Sequence, residues 1–453
     1  MRSMLVTMGY PLYTEVSSDQ PPLFTLLLGI LMRFTGYEVT PARLLVLLFS
    51  SLLIGAGAQF LQLTWGKTSA ILFLPLSIMI PRYLVLSVSV MIGLPSIAFS
   101  VLALLFVIIW HKKRGNVWLV LSGFALALSV LIKLFSGFLI PIFLIGISAQ
   151  IFFDNRANKF SWKMLKPVWI WSLCFFGLAV LLGIALVGQQ NLLQIIFPHI
   201  ASIGNETFQG ETYTITYHLQ AALPLLFVGF FGVLFSIYKQ NWLNLYPLAW
   251  AAVAYVLLSF YSPVSYHHQL LITVPCALLA AAALGEGFHT LVHLKFPARL
   301  IQLKTVLAAG AWISFIVLAI HSMPTLDKEL RNSPRISGFS LTATAGKIKI
   351  LHEMNAYADQ TNWILTDMPM YAFRLKLPVP PSLATFSRKR LVTGSITEED
   401  ILIAMRTYQP EQVLMARFEI PALEVYLAEN YTLVASPEFF RFFIRKGLKR
   451  DGQ

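Results

Sequence analysis

Charged side chains are scarce in this sequence. Asp, Glu, Lys and Arg make up 12% of its 453 residues, against 57% hydrophobic ones. Soluble domains carry about 25% charged residues, so this chain cannot cover an ordinary globule with polar surface. Cysteine is nearly absent too. Cys174 and Cys276 both fall in apolar runs and read as small packing residues, which leaves the water-exposed parts without a disulfide. No Walker loop or dinucleotide fingerprint occurs, so no nucleotide cofactor is expected, and neither an HExxH nor a paired-cysteine motif marks a zinc site. Residues 1–20 lack the basic region and apolar core of a signal peptide.

What is present is a series of long apolar runs. They fall near residues 43–63, 69–84, 93–110, 117–132, 134–150, 167–188, 219–238, 244–261, 268–286 and 304–321, each close to the length that crosses a bilayer. The fold class expected is an α-helical polytopic membrane protein of about ten spans with a small α/β extracytoplasmic C-terminal domain. Residues 1–42 form an external loop with a juxtamembrane helix, residues 43–321 the transmembrane domain and residues 322–453 the external domain. Lys and Arg collect in short cytoplasmic loops. Placing Lys67, Lys112–Arg114, Arg156, Lys159, Lys163, Lys166, Lys239, Lys295, Arg299 and Lys304 on the cytoplasmic side satisfies that rule with ten alternating spans. The formal net charge of +13 is then mostly a topology signal, and nucleic acid is not an expected partner. An external N-terminal segment without a signal peptide implies either a short tail that crosses unaided or, the favoured reading, a membrane helix upstream of Met1.

Several polar groups on the external side are candidates for chemistry. Glu15 and Asp19 lie four residues apart beside Tyr10 and Tyr13; such an acidic pair is ordinarily plain solvation, but here it sits next to a membrane. Pro21 and Pro22 suit the first turn of a short helix over Leu23–Phe34, with Asp19 as its cap. Arg82 and Lys133 are cations at membrane depth, which is costly unless they snorkel or meet an anion such as phosphate. His267 and His268 lie between two spans and can donate to a phosphate or a hydroxyl, the alternative being anchoring at the interface. The loop 189–217, with His199, Glu206 and Glu211, is long enough to cover a site, and Asn205-Glu206-Thr207 matches a glycosylation acceptor. Farther on, Trp363–Thr366 and Gln412–Ala416 read as strands, Thr397 with Asp400 as a capping box, and Glu438–Lys446 as a terminal helix. The sector Arg374–Arg390, with Lys376, Arg388 and Lys389, reads as a solvated turn or a contact for phosphate or membrane.

Gly9-Tyr-Pro-Leu-Tyr13, Ser18-Asp-Gln-Pro-Pro-Leu-Phe24, Gly36 and the Arg43 that leads a span together resemble the polytopic glycosyltransferases that use polyprenyl-phosphate sugars. Pro81-Arg-Tyr-Leu-Val-Leu-Ser-Val-Ser-Val-Met91 and Leu128–Lys133 resemble later membrane helices of the same group. The group includes protein O-mannosyltransferases and the lipid A aminoarabinose transferase, and is GT-C-like in fold and glycosyltransferase family 39-like in class. The resemblance implies sugar transfer with inversion, from a polyprenyl-phosphate donor to a lipid, glycan or protein acceptor, outside a bacterial or archaeal plasma membrane. It assigns Asp19 to the second acidic position of the first external loop, in contact with acceptor or a divalent metal ion, with Glu15 as a companion acid and Tyr13 and Gln20 beside the substrate. Arg82, Lys133, His267 and His268 then compensate the phosphate. The family's first acidic motif would precede Met1, so the chain either extends upstream or is an inactive fragment. A transporter or flippase for a lipid-linked sugar is the rival reading.

Overall fold

The structure, a computed structural model, describes residues 1–154, 161–188, 191–203, 206–208, 210–293, 302–336, 338 and 344–448. Arg156, Lys159, Lys295, Arg299 and Asn205 lie outside the described residues. The chain forms two compact units, each discontinuous in sequence. One comprises Arg43–Ala185 and Phe208–Pro334; the other comprises Met1–Ala42, Leu186–Thr207 and Arg335–Gln453.

The first unit accounts for most of the apolar runs. Among the described residues, eight helices are long and apolar enough to cross a membrane: Val39–Trp65, Gly93–Lys113, Leu134–Asp154, Trp162–Val187, Ile215–Tyr238, Trp242–Phe260, Tyr266–Val292 and Leu303–Asn332. The chain is a multi-pass α-helical membrane protein. The two other expected spans, 69–84 and 117–132, appear as the shorter helices Lys67–Ile78 and Asn116–Ile132. Proline explains the first of these. Pro81 lacks an N–H and disfavours helical backbone just before it, so the chain turns at Ile80–Arg82, Arg82 takes φ +65°, and a separate short helix follows over Tyr83–Ser87.

Helix Leu270–Val292 is buried along nearly its whole length and packs against Lys67–Ile78, Leu223–Tyr238, Leu245–Phe260 and Leu303–Asn332. Its run Ala280-Ala-Ala-Ala283, its own Gly285 and the facing Gly232 let backbones meet closely, which is how membrane helices gain packing energy without a hydrophobic drive. A Cβ on Gly232 would lie 2.0 Å from the Leu279 carbonyl oxygen, and one on Gly285 2.0 Å from Ser69 Oγ.

The second unit is built on a four-stranded sheet, β1 (Ile364–Thr366), β2 (Gln412–Met415), β3 (Tyr431–Ala435) and β4 (Arg441–Arg445), in the order β1-β2-β4-β3. β1 and β2 are parallel; the other pairs are antiparallel. The C-terminal stretch expected to be helical is strand β4. Phe442 and Ile444 are buried with half-buried residues between them, a period of two that a short window does not separate cleanly from a helical repeat. Alternation sends Leu365, Val413 and Met415 to one face, under helices Glu398–Tyr408 and Pro421–Asn430, and Ile364, Leu414, Phe442 and Ile444 to the other. Leu5 and Val16 are buried in that second core with Ile350, Met354 and Phe440, so the N-terminal segment shares the interior of the C-terminal sheet. Thr397 and Asp400 form the expected capping box. Asp19 does not cap Leu23–Thr35: Pro22 is the residue before that helix, and the Asp19 carboxylate lies toward Arg2 instead.

The close approach at Gly232 is testable. Gly232→Ala should destabilise the membrane unit by about 1–3 kcal/mol or more, because the obstacle is backbone that cannot turn aside. Gly55→Ala, where a Cβ meets nothing within 4 Å, should leave the thermal midpoint in detergent unchanged or raised. Equal midpoints for the two variants would contradict the packing described.

Candidate functional site

In the second unit, three distant stretches of chain meet around Asp19, which is 9% exposed. Arg2 Nη1 stands 3.9 Å from its Oδ1 and donates to Ser18 Oγ at 2.6 Å. Helix Leu192–Ile200 brings His199, whose Nε2–H donates to the Asp19 carbonyl oxygen at 3.1 Å. Helix Arg388–Val392 brings Lys389, whose ammonium donates to His199 Nδ1 at 2.8 Å. That bond requires a lone pair on Nδ1, so the imidazole is neutral with its proton on Nε2. Arg390, buried, donates to the carbonyls of Thr385 and Ser395 and acts on Asp19 electrostatically, as Lys389 does.

The loop before Asp19 is held as firmly. Gln194 accepts from the Ser18 N–H and donates to the Tyr13 carbonyl, both at 3.1 Å. The Tyr13 hydroxyl donates to the Gln20 carbonyl at 2.7 Å, and burial pushes its phenol well above the ordinary range, so it stays a donor. The Gln20 amide lies 3.4 Å from His199 Nε2. Glu15 is exposed, its side chain outside this network. Arg2, His199 and Arg390 are the residues that pattern reading did not assign to Asp19; Lys389 was noticed only within a basic sector. Their partners lie up to 190 positions away, and no local spacing signals them.

The membrane unit gathers the other candidates. Lys133 ends helix Asn116–Ile132 in extended backbone, is buried, and holds Nζ 5.4 Å from the Phe135 ring centroid. A Cβ on Gly93 would stand 3.9 Å from both Lys133 Nζ and His267 Cδ2, so glycine keeps open the space between cation and imidazole. His267 Nδ1 is buried and has no hydrogen-bond partner among the described residues. His268 plays another part: its Nδ1 accepts from the Ser265 N–H at 3.0 Å, and its ring packs against Phe135 and Tyr261. The Arg82 backbone N–H donates to Glu329 Oε1 at 2.6 Å, and its guanidinium lies 5.8 Å from the centroid of Tyr266, the neighbour of His267.

A divalent ion does not fit Asp19. Among the described residues no three His, Cys, Asp or Glu side chains converge as a metal site. Asp19 supplies one carboxylate amid Arg2, Lys389 and Arg390, and these cations would repel a metal ion.

No family model and no curated protein sequence matches the chain. Solved structures do. ArnT from Cupriavidus metallidurans bound to undecaprenyl phosphate is similar with TM-score 0.60 and 14% identity, over 98% of this chain and 91% of that one. Its apo form gives 0.58 at 16% identity over the same shares. The archaeal oligosaccharyltransferase AglB from Archaeoglobus fulgidus, in complex with an inhibitory peptide and a dolichol-phosphate, gives 0.51 at 12% identity, over 88% of this chain and 61% of that one. This chain shares their fold, the architecture that the sequence resemblance implied.

Burial lowers the Lys389 ammonium from 10.5 to about 8, against an opposing pull from Asp19. Between those two values the unfolded chain holds a proton that the folded chain has released, so stability rises with pH across that window. The midpoint of wild type relative to Lys389→Met should therefore climb as pH goes from 8 to 10.5. A difference that stays flat across the window, measured by thermal unfolding in detergent, would refute the buried placement of this ammonium.

Proposed function

We propose that this protein is a glycosyltransferase that moves a sugar from a polyprenyl-phosphate donor to a lipid, glycan or protein acceptor on the outer face of the membrane. The observation that carries this reading is the pairing of buried Lys133 with the unsatisfied His267 Nδ1 across Gly93, inside a fold shared with ArnT bound to undecaprenyl phosphate. An unpartnered buried imidazole nitrogen costs free energy, about 1–3 kcal/mol, that a ligand returns. A cation beside it suits a phosphate.

In the proposed reaction an acceptor hydroxyl oxygen bonds to the anomeric carbon as the bond from that carbon to the phosphate oxygen breaks, with inversion. The polyprenyl phosphate leaves with the bonding pair, and the hydroxyl proton is released. Negative charge grows on the departing phosphate, where Lys133 and His267 stabilise it, with Arg82 alongside. In the other unit, Asp19 is the carboxylate we assign to the acceptor hydroxyl, as the hydrogen-bond acceptor that holds it. Arg2, His199 and Lys389 hold Asp19 for that task. The transmembrane domain 43–321 thus handles the donor, and the external parts 1–42 and 322–453 handle the acceptor. The positive-inside distribution of Lys and Arg supports the extracytoplasmic placement of both.

Membranes containing the chain, supplied with polyprenyl-phosphate hexose or pentose, should release polyprenyl phosphate. Asp19→Asn should lower kcat/KM about 100-fold through misorientation. Lys133→Met should cost a further-reaching loss of roughly 100- to 1,000-fold in kcat, since it removes charge stabilisation at the leaving group. Exposed Glu15→Gln should leave the rate within about twofold, as surface changes usually do. Undiminished release by Lys133→Met would overturn the donor assignment.

A further inference from the structure

The C-terminal sheet ends in a cleft that the proposed reaction has not used. It lies at the carboxyl edge of the parallel pair β1 and β2, where the segment after Met415 and the β3–β4 turn face helix Arg388–Val392, and its volume is about 690 Å³. Crevices outside the carboxyl ends of parallel strands are where α/β sheets bind ligands, and the size is that of a small-molecule or oligosaccharide site.

A buried carboxylate preorganises one wall. Asp367, fully buried at the end of β1, accepts from the backbone N–H groups of Ala416 at 3.0 Å, Arg417 at 2.6 Å and Phe418 at 2.9 Å. Arg441 braces the same segment by donating to the Phe418 carbonyl at 3.2 Å and to Glu424 at 2.7 Å. Such bonds fix the backbone from which the side chains of this segment project, which lowers the entropic cost of binding.

The side chains presented have a definite chemistry. The Arg417 guanidinium lies 5.0 Å from the centroid of the Phe418 ring, exposed at its outer side, and Arg388 faces the cleft from the opposite wall. Two guanidinium forks match a carboxylate or phosphate; the lining also holds two acids, Glu419 and Glu438, the latter accepting from Thr344 Oγ1 at 3.2 Å. Phe439 is 53% exposed, yet its ring is seated against fully buried Phe440 with centroids 4.5 Å apart. An exposed aromatic ring of this kind suits the apolar face of a pyranose ring, and exposed Glu419 can accept from sugar hydroxyls.

We propose that this cleft binds an anionic carbohydrate, with Arg388 and Arg417 taking its charged substituent and Phe439 its ring. On the transferase reading, on which this identification rests, that carbohydrate is the acceptor. Adjacent residues of a single helix support the link, since Arg388 lines the cleft while Lys389 touches His199 and thereby Asp19.

The test is binding by the full chain in nanodiscs of zwitterionic lipid, with trigalacturonate, its uncharged methyl ester and 6-phosphomaltotriose as probes, followed by calorimetry. At least one charged trisaccharide should bind about tenfold or more tighter than the methyl ester. The double variant Arg388→Gln with Arg417→Gln should abolish that preference at an unchanged thermal midpoint, and Phe439→Ala should weaken charged and neutral probes alike. If neither charged trisaccharide binds, or if the double variant binds them as wild type does, the cleft is not this site. Sugar transfer on the same preparations keeps the two claims apart. Binding with the predicted variant pattern but without transfer removes the transferase reading alone, whereas transfer with no charged-sugar binding removes the cleft alone.

Discussion

A carboxylate removed from water costs several kcal/mol unless positive charge or hydrogen-bond donors meet it. The arrangement of the sheet-bearing unit follows from how that requirement is met at Asp19. No nearby residue suffices. The cations Arg2, from the amino-terminal helix, and Lys389 and Arg390, from the C-terminal domain, act on its carboxylate, while His199, from the segment between two long helices, holds its backbone carbonyl. Three stretches far apart in sequence are thereby drawn into one compact unit, and Leu5 and Val16 add apolar burial to the same assembly. Asp367 meets the identical requirement in another way, with backbone N–H groups from a single turn. In the first case compensation organises a constellation of side chains; in the second it stiffens a loop.

The membrane unit answers a different constraint. Apolar burial offers little drive between helices already in lipid, so association depends on close backbone packing. Helix Leu270–Val292 meets this with alanines and Gly285, and its neighbour Leu223–Tyr238 with Gly232. A tightly packed centre of this kind can hold polar groups at fixed places. Lys133, His267 and the buried serines Ser96, Ser100, Ser129 and Ser136 sit at such places, the serines hydrogen-bonded to one another. Keeping a lysine there is expensive, and that cost is what makes Lys133 a candidate for the proposed donor site.

Much of the fold was legible because its signals are local. Each apolar run has a length set by the bilayer, and eight became long helices; of the remaining two, 117–132 is realised as Asn116–Ile132 and only 69–84 is shortened, ahead of Pro81. The capping box at Thr397 and strands β1 and β2 were readable for the same reason. Strand β4 was misread as helix because a five-residue element offers too few positions to tell one period from the other. Of the candidate site, Asp19, Lys133 and His267 stood out as polar groups in improbable surroundings. The separate roles of His267 and His268 did not: adjacent in sequence and identical in type, one caps Ser265 while the other keeps an unsatisfied nitrogen.

By itself, then, the sequence determined that this chain lives in a membrane, roughly where its helices run, and which residue types are too costly there to be incidental. Hydropathy and charge act residue by residue, so they survive reading along a line. Which groups meet was decided only by the tertiary structure. The cation shell of Asp19, the space that Gly93 leaves between Lys133 and His267, and the cleft at the edge of β1 and β2 each join residues from separated stretches. Contact energies of this kind depend on distances of a few ångströms, and chain order does not encode those distances until the helices and sheet have packed.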